Sequence, residues 1–395
     1  MQQQGPRKRR RRTRLRIGFI VGKKDGDLVL APGIPAKHWV SSAFADEPPP
    51  HKPLREIVHT DVAIWWHVRQ HYGSVVEADL VSAPEEVTAA RLGKNDVNLL
   101  LGWDAVSAHL EEADVAIGHG ENMRELLSSP ESRVWPPGDL QALCNNKGDY
   151  MRLAEARGIA IAPTEVYDCS GGPEAFASFA VDVARRRGWT KFVAKPSPSS
   201  WSRGVETFST DGHDLEPALE TYFAATVKGA KQIVLQRHLD GLEIHPETRC
   251  FYFDGAFMYA VANSRHPRDH PFEITDHPEA ASTAPAGTPR ALPPEFWRAH
   301  SRLGLEVVRD LLPDLRAFDG RELPHFPWLV RCDVGMHDPK DLVNAADDAD
   351  GGKAVFLNEI EIVPTLYLDP KFGHDRDFVA EYAAKFVKSA ADAAG

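Results

Sequence analysis

Cysteine is scarce in this chain: Cys144, Cys169, Cys250 and Cys332 are the only four in 395 residues, and no two form a CxxC pair. That spacing excludes a disulfide framework and a zinc ribbon. No apolar stretch reaches the roughly 18 residues a bilayer-spanning helix needs, and no hydrophobic signal core follows the basic residues near Met1. The common phosphate-binding signatures are missing as well. There is no GxxxxGK[ST], and GKKDGD stands after the first strand-like segment, where a dinucleotide site would carry GxGxxG. The body of the chain also lacks positive charge, since 46 Lys and Arg against 57 Asp and Glu leave a net charge of -11. That balance argues against a nucleic-acid partner. The exception is RKRRRRTRLR at residues 7–16. It precedes the strand-like LRIGFIV, so residues 1–14 read as a basic flexible tail, with an uncleaved targeting or anion-binding role as the alternative. A soluble, cytoplasmic protein with no membrane partner is expected.

Hydrophobic content of 43% and charged content of 26% are those of an ordinary globular enzyme, and the length allows two or three domains. From residue 15 to 138, apolar runs such as IGFIV and VVEADLV alternate with candidate helices, which predicts an α/β domain ended by WPPGDL. A helix is predicted over Gly148–Ala156, ending near Gly158, and another over 173–187, closed by Gly188. KFVAKPS reads as a strand leading into the small-residue loop PSPSSWSRGVETFS. QIVLQRHL, TRCFYFDG and AFMYAVANS read as strands, the last two forming a hairpin that turns at Asp254 and Gly255. Residues 266–294 read as a long loop of the kind that acts as a lid or substrate contact. A helix at 295–312, strands at FPWLVRCDV and AVFLNEIEIV, and a helix at 376–393 complete the pattern, with no internal repeat.

The segment VFLNEIEIVP carries Glu359 and Glu361 in an apolar strand. Residues two apart share a face, so both carboxylates are expected to point the same way, beside Leu357 and Val363. Two ionised groups that close repel and call for a cation between them, unless the segment is a solvated face of an edge strand. On the same reasoning, an amide at Glu359 should relieve repulsion and leave the ligand-free fold as stable as before or more so. PWLVRCDV places Arg331 and Asp333 on one face with Leu329, and antiparallel pairing of the two strands would gather Asp333, Glu359 and Glu361. Three hard oxygen donors suit magnesium bridging to nucleotide phosphates, with Arg331 beside it to stabilise a developing oxyanion. Lys195, ending a strand before the loop, can reach phosphate while backbone amides from Ser199 through Ser200 and Ser202 to Gly204 fold over it. Lys147 is a second candidate, and for either lysine a plain surface role is the alternative.

Five stretches in this order carry a resemblance: NNKGDYMRLAEARGIAIAPT, FVAKPSPSSWSRGV, IVLQRHLDGLEI, LVRCDV and FLNEIEIVPTLY. Together they resemble the ATP-grasp superfamily, particularly its carboxylate-amine ligases such as those similar to D-alanine–D-alanine ligase and glutathione synthetase, over roughly residues 139–390. The resemblance implies an α/β, strictly α+β, ATP-grasp fold. A preceding α/β domain (15–138) would be followed by subdomain A (139–235) and subdomain B with the metal site (236–395), the two clamping ATP. It implies phosphate binding by Lys147 and Lys195, a covering loop at 197–205, and an adenine hinge over Gln236, Arg237 and Leu239. It further implies ribose binding by Glu243 or Glu247, and two magnesium ions, with manganese as a substitute, on Asp333, Glu359 and Glu361. Glu361 stands where relatives often carry Asn, and Gln236 and Arg237 stand where Glu and Lys are common. Arg249 and Arg265 correspond to arginines that touch the γ-phosphate or a substrate carboxylate, with surface ion pairs as the alternative.

The expected reaction is amide formation from a small-molecule carboxylate and amine, an amino acid or peptide, through an acyl phosphate. The alternatives are an ATP-grasp kinase and a nucleotide-binding regulatory protein without turnover. A homodimer is compatible with this reading. His67 and His71 have zinc-like i,i+4 spacing but lack a third ligand or HExxH. The Trp65 and Trp66 pair reads as core or pocket wall, and GHGENM at 118–123 as either an anion-holding strand-to-helix turn or a plain one.

Residues 1–13 carry no aliphatic or aromatic side chain beyond Met1 to bury. Deleting them is expected to leave the melting temperature within about a degree of the full chain's. A large drop in a thermal melt would show that the segment packs on the body.

Overall fold

The computed structural model describes residues 14–22, 28–40, 54–102, 116–117, 121–136, 144, 146–197, 204–212, 214–226, 230–263, 273–275, 294–312, 329–345, 353–364, 366–368 and 376–394. Strands β1 (Leu15–Ile20), β2 (Val76–Val81), β3 (Val97–Leu100) and β4 (Val134–Trp135) form a parallel sheet in the order β2-β1-β3-β4. Parallel strands are covered on both faces, which is why LRIGFI and VNLL are nearly continuous apolar runs. Helix α1 (Thr60–His71) lays Val62, Ile64, Trp65 and Val68 on this sheet. Trp65 is core, whereas Trp66 lies at the rim and donates its indole N–H to the Pro32 carbonyl at 3.1 Å.

Helix α2 (Lys147–Ala156) starts one residue before the predicted helix. A second, antiparallel sheet follows, made of β5 (Thr164–Asp168), β6 (Lys191–Ser197), β7 (Glu206–Ser209) and β8 (Gln232–Arg237) in the order β7-β6-β8-β5. Helices α3 (Gly172–Arg187) and α4 (Leu215–Thr226) cover it through an aromatic core of Phe176, Phe192, Phe208, Tyr222 and Phe223. Gly188 terminates α3 at φ +65°, a left-handed position that glycine occupies without Cβ strain.

The third sheet holds β9 (Glu247–Phe253), β10 (Ala256–Asn263), β11 (Glu273–Thr275), β12 (Leu329–His337) and β13 (Ala354–Glu361), in the order β11-β10-β9-β12-β13. The predicted hairpin turns at Asp254 and Gly255, both at positive φ. Alternation along β12 divides its side chains. Val330, Cys332 and Val334 join a core with α2 and α5 (Pro294–Glu306), whereas Leu329 faces the other way, with Phe251 and Phe253 of β9. That second core continues through Phe378, Tyr382 and Phe386 of α6 (Phe378–Ala394) into the first sheet at Ile17, Phe19 and Leu99. Among the described residues no helix is long and apolar enough to cross a membrane.

The link from β8 to β9 docks on the end of β12. A Cβ on Gly241 would meet the Met336 carbonyl oxygen at 2.2 Å, and the Gly241 N–H donates to His337 Nδ1 at 3.1 Å. Gly241→Ala is therefore expected to push the link off β12 and cost on the order of 1–3 kcal/mol. Chemical denaturation is the measurement, and a midpoint equal to that of the wild type would refute the contact.

Candidate functional site

Antiparallel pairing sets Arg249 opposite Asp333, Asp333 opposite Glu359, and Arg331 opposite Glu361. The predicted pairing of the two strands is therefore present, with one departure. The register shifts between Asp333 and Val334, because Val334 pairs with Leu357 and leaves Asn358 as an extra residue. This bulge reverses the side-chain parity of β13. Leu357, expected on the carboxylate face, instead joins Ile360 in the opposite core. Asn358 turns its Nδ2 to Glu247 Oε1 at 2.5 Å.

The carboxylates are matched by cations. Arg331, 5% exposed, donates from Nε and Nη2 to the two oxygens of Asp333 at 2.7 and 2.8 Å, and its Nη1 lies 2.8 Å from Glu361 Oε2. Burial opposes the guanidinium charge, but Asp333 and Glu361 outweigh it and raise the Arg331 pKa. Lys147 Nζ reaches Glu359 Oε1 at 2.7 Å. Burial pushes the Glu359 carboxyl up, yet Lys147 and then Arg331 and Lys195 overcome that push and hold it at about 2. Glu361 moves in the opposite direction. Burial and the charges of Glu359 and Asp333 raise it despite Arg331 and Arg249, although about a third of its side chain stays open to solvent and tempers the effect. Glu247 is also raised, by burial and by Asp333.

Lys195 Nζ donates to Gln236 Oε1 at 2.8 Å, and Gln236 Nε2 donates to Thr164 Oγ1 at 3.1 Å, so the second sheet holds this lysine from below. Ser197 Oγ donates to Asn146 Oδ1 at 2.9 Å, tying the end of the Lys195 strand to the residue before Lys147. Arg237 is turned away to Asp341 at 2.9 Å, and Leu239 is core. Glu243 is exposed beside His238, whereas Glu247 lies at the Asp333 end of the third sheet. Gly204 sits at φ +66°, and its carbonyl accepts from the Tyr222 hydroxyl at 2.7 Å. Ser199, Ser200, Ser202, Arg265 and Gly118–Gly120 lie outside the described residues.

Asn358, Asn146, Ser197 and Asp341 were not singled out from the sequence. Ser197 follows Lys195 at the spacing of one strand face and had a signal; the others had none. His67 and His71 stack with ring centroids 4.2 Å apart. Among the described residues, no group of three His, Cys, Asp or Glu side chains is gathered ready to hold a metal, because Asp333, Glu359 and Glu361 are each drawn onto a cation.

No family model matches the chain. The fold is that of the ATP-grasp ligases. The structure aligns with that of D-cycloserine synthetase DcsG at a TM-score of 0.55 and 16% identity, covering 82% of this chain and 93% of that one. D-alanine–D-alanine ligase from Bacillus anthracis, complexed with ATP, aligns at 0.55 and 14% identity, covering 96% and 98%. D-alanyl-alanine synthetase A from Vibrio cholerae aligns at 0.55 and 11%, covering 97% and 99%. In sequence, 112 residues are 25% identical to the cycloserine biosynthesis protein DcsG of Streptomyces lavendulae, which is 28% of this chain and 36% of that protein. The chain thus matches about a third of the length of that curated relative.

The two glutamates should separate in the metal-free protein. Glu359, depressed from 4.5 to about 2, contributes stability above the ordinary carboxylate range that is lost as pH falls through that window. Glu361, raised from 4.5 to about 7, costs stability that grows as pH rises between those values. At neutral pH, Glu359→Gln should therefore lose on the order of 1–2 kcal/mol by stranding Lys147, reversing the relief of repulsion expected from the sequence. Glu361→Gln should hold or raise the melting temperature and flatten its decline from about pH 5 to 7. Thermal melts across pH decide, and a Glu359→Gln protein that melts above the wild type would contradict the pairing.

Proposed function

We propose that the chain is an ATP-dependent ligase that joins a small-molecule carboxylate to an amine through an acyl phosphate, releasing ADP and phosphate. The observation that carries this reading is the convergence of Lys147, Arg249 and Arg331 with Asp333, Glu359 and Glu361 beside the Lys195 strand. Cations suited to polyphosphate alternate there with oxygen donors suited to a hard divalent ion. The donor set fits magnesium or manganese: all three side chains are carboxylates at neighbouring register positions, and Glu359 is held ionised. Such an ion would neutralise phosphate charge during transfer.

In this reading Lys147 and Lys195 bind phosphates, and Gln236 orients Lys195 through the bond noted above. Backbone groups from Gln236 to Leu239 read adenine, which agrees with the Arg237 side chain being engaged elsewhere. Glu243, exposed just past the hinge, suits ribose better than Glu247, whose partners are Asn358 and Asp333. Ser199, Ser200, Ser202 and Gly204 cover the phosphates, and Arg249 and Arg265 meet the γ-phosphate or a substrate carboxylate. A substrate carboxylate oxygen attacks the γ-phosphorus and ADP leaves. The amine nitrogen then attacks the acyl carbon, loses a proton, and phosphate departs. Arg331 holds charge at the transferring group, so catalysis is positional and electrostatic, with no protein nucleophile. The names of the aligned proteins, which refer to D-alanine and D-cycloserine, support small amino acids as the substrate class.

The test is release of ADP and phosphate over a panel of amino acids, peptides and other acids, with product mass recorded. A ligase product weighs the acid plus the amine minus water, whereas a kinase product gains phosphate. Glu359→Gln should lower turnover at least about a hundredfold. Near-normal turnover in that variant would remove the carboxylates from the mechanism.

A further inference from the structure

Five described non-glycine residues have positive φ: Glu56, Arg133, Asp254, Asn344 and Tyr367. Tyr367 alone is aromatic, and at φ +55° it occupies a region that bulky side chains rarely adopt. Such a conformation persists only where the surroundings over-determine it, and it concentrates at ligand sites. Here the third sheet supplies the constraint. The Tyr259 hydroxyl donates to the carbonyl of Leu366, immediately before Tyr367. The Tyr259 ring stacks on Phe251 at 4.4 Å, and Phe251 meets Tyr367 edge-on at 6.3 Å. Tyr259 and Phe251 are both fully buried, so this support is rigid.

The result is a ring placed under Arg249, whose guanidinium carbon lies 4.8 Å from the Tyr367 centroid. A ring face holds a guanidinium by its charge and leaves the N–H donors unspent. Arg249 Nε is buried with no hydrogen-bond partner among the described residues, and the nearest carboxylate oxygen, Asp333 Oδ2, is 3.9 Å away. A buried donor costs stability unless a guest completes it, and the chemistry that completes a guanidinium is an oxyanion.

We propose that Tyr367 is a positioning residue that fixes the plane of Arg249 so that its donors face a phosphate oxyanion of the bound nucleotide. The inference rests on the ligase reading of the same site.

The experiment is calorimetric titration of ATP with magnesium into the wild type, Tyr367→Phe, Tyr367→Leu, Arg249→Ala and the Tyr367→Leu/Arg249→Ala double variant, with a melt of each. Tyr367→Leu and Arg249→Ala should each weaken affinity about tenfold, and the double variant should be no weaker than either. Tyr367→Phe, which keeps the ring face, should stay within about twofold. Wild-type affinity in Tyr367→Leu, an effect of Tyr367→Leu without one of Arg249→Ala, or losses that multiply in the double variant would each overturn the proposal. A loss in Tyr367→Phe equal to that in Tyr367→Leu would overturn it too, because the hydroxyl rather than the ring would then matter. A wild type that binds ATP but releases no ADP with any acid and amine pair would refute the ligase reading alone, and these affinities would still decide the role of Tyr367.

Discussion

Burying a guanidinium obliges the surrounding sheet to supply carboxylates, and Arg331 imposes that obligation on everything near it. An uncompensated buried charge costs about 3–5 kcal/mol, a large part of a domain's whole stability. Asp333 meets it bidentately from the same strand, and Glu361 meets it from the neighbouring one. Because Glu361 reaches Arg331 across β12 and β13, that ion pair selects the register of the two strands together with the apolar side chains beneath them. A slip by one residue would bury Arg331 against Ile360 and expose the aliphatic row.

The same face of the third sheet is therefore divided along its length. Leu329, Phe251 and Phe253 weld it to α6 and, through α6, to the parallel sheet. Two residues further along β12 the surface becomes ionic. The apolar half anchors the strands, which lets the ionic half hold charges at fixed spacing without collapsing on them. Lys147 and Lys195 approach from α2 and the second sheet, so the charged half is completed only where the sheets meet.

Much of this was legible in the sequence, because alternation is a local property. The faces of LVRCDV and of NEIEI, the α2 start near Gly148 and the stop at Gly188 follow from residues within a few positions of each other. What could not be read depends on partners distant in the chain. The bulge at Asn358 exists only relative to β12, so nothing within FLNEIEI announced that Leu357 would turn away. Two neighbouring glutamates read as mutual repulsion because Lys147, which neutralises one of them, lies far upstream. Likewise Arg237 was expected at an adenine hinge, and only the folded turn at Pro339–Asp341 reveals what occupies its side chain.

Neutralisation within the site bears on how a ligand enters it. With Glu359 on Lys147 and Asp333 and Glu361 on Arg331, each of the three carboxylates already has a cation against it. A simple polyanion would have to strip the lysine from Glu359 and leave that carboxylate bare. A lone divalent cation would have to displace the lysine and leave the ammonium bare. Each bare group carries a desolvation cost in so enclosed a place. In the proposed reading, a ligand bearing both signs, a polyphosphate with its metal ion, would exchange the partners on both sides at once, the cation taking the carboxylates and the phosphates taking Lys147. Selectivity for the paired species over either ion would then arise from exchange between matched charges, and it would require no more than the ion pairs already present among these side chains.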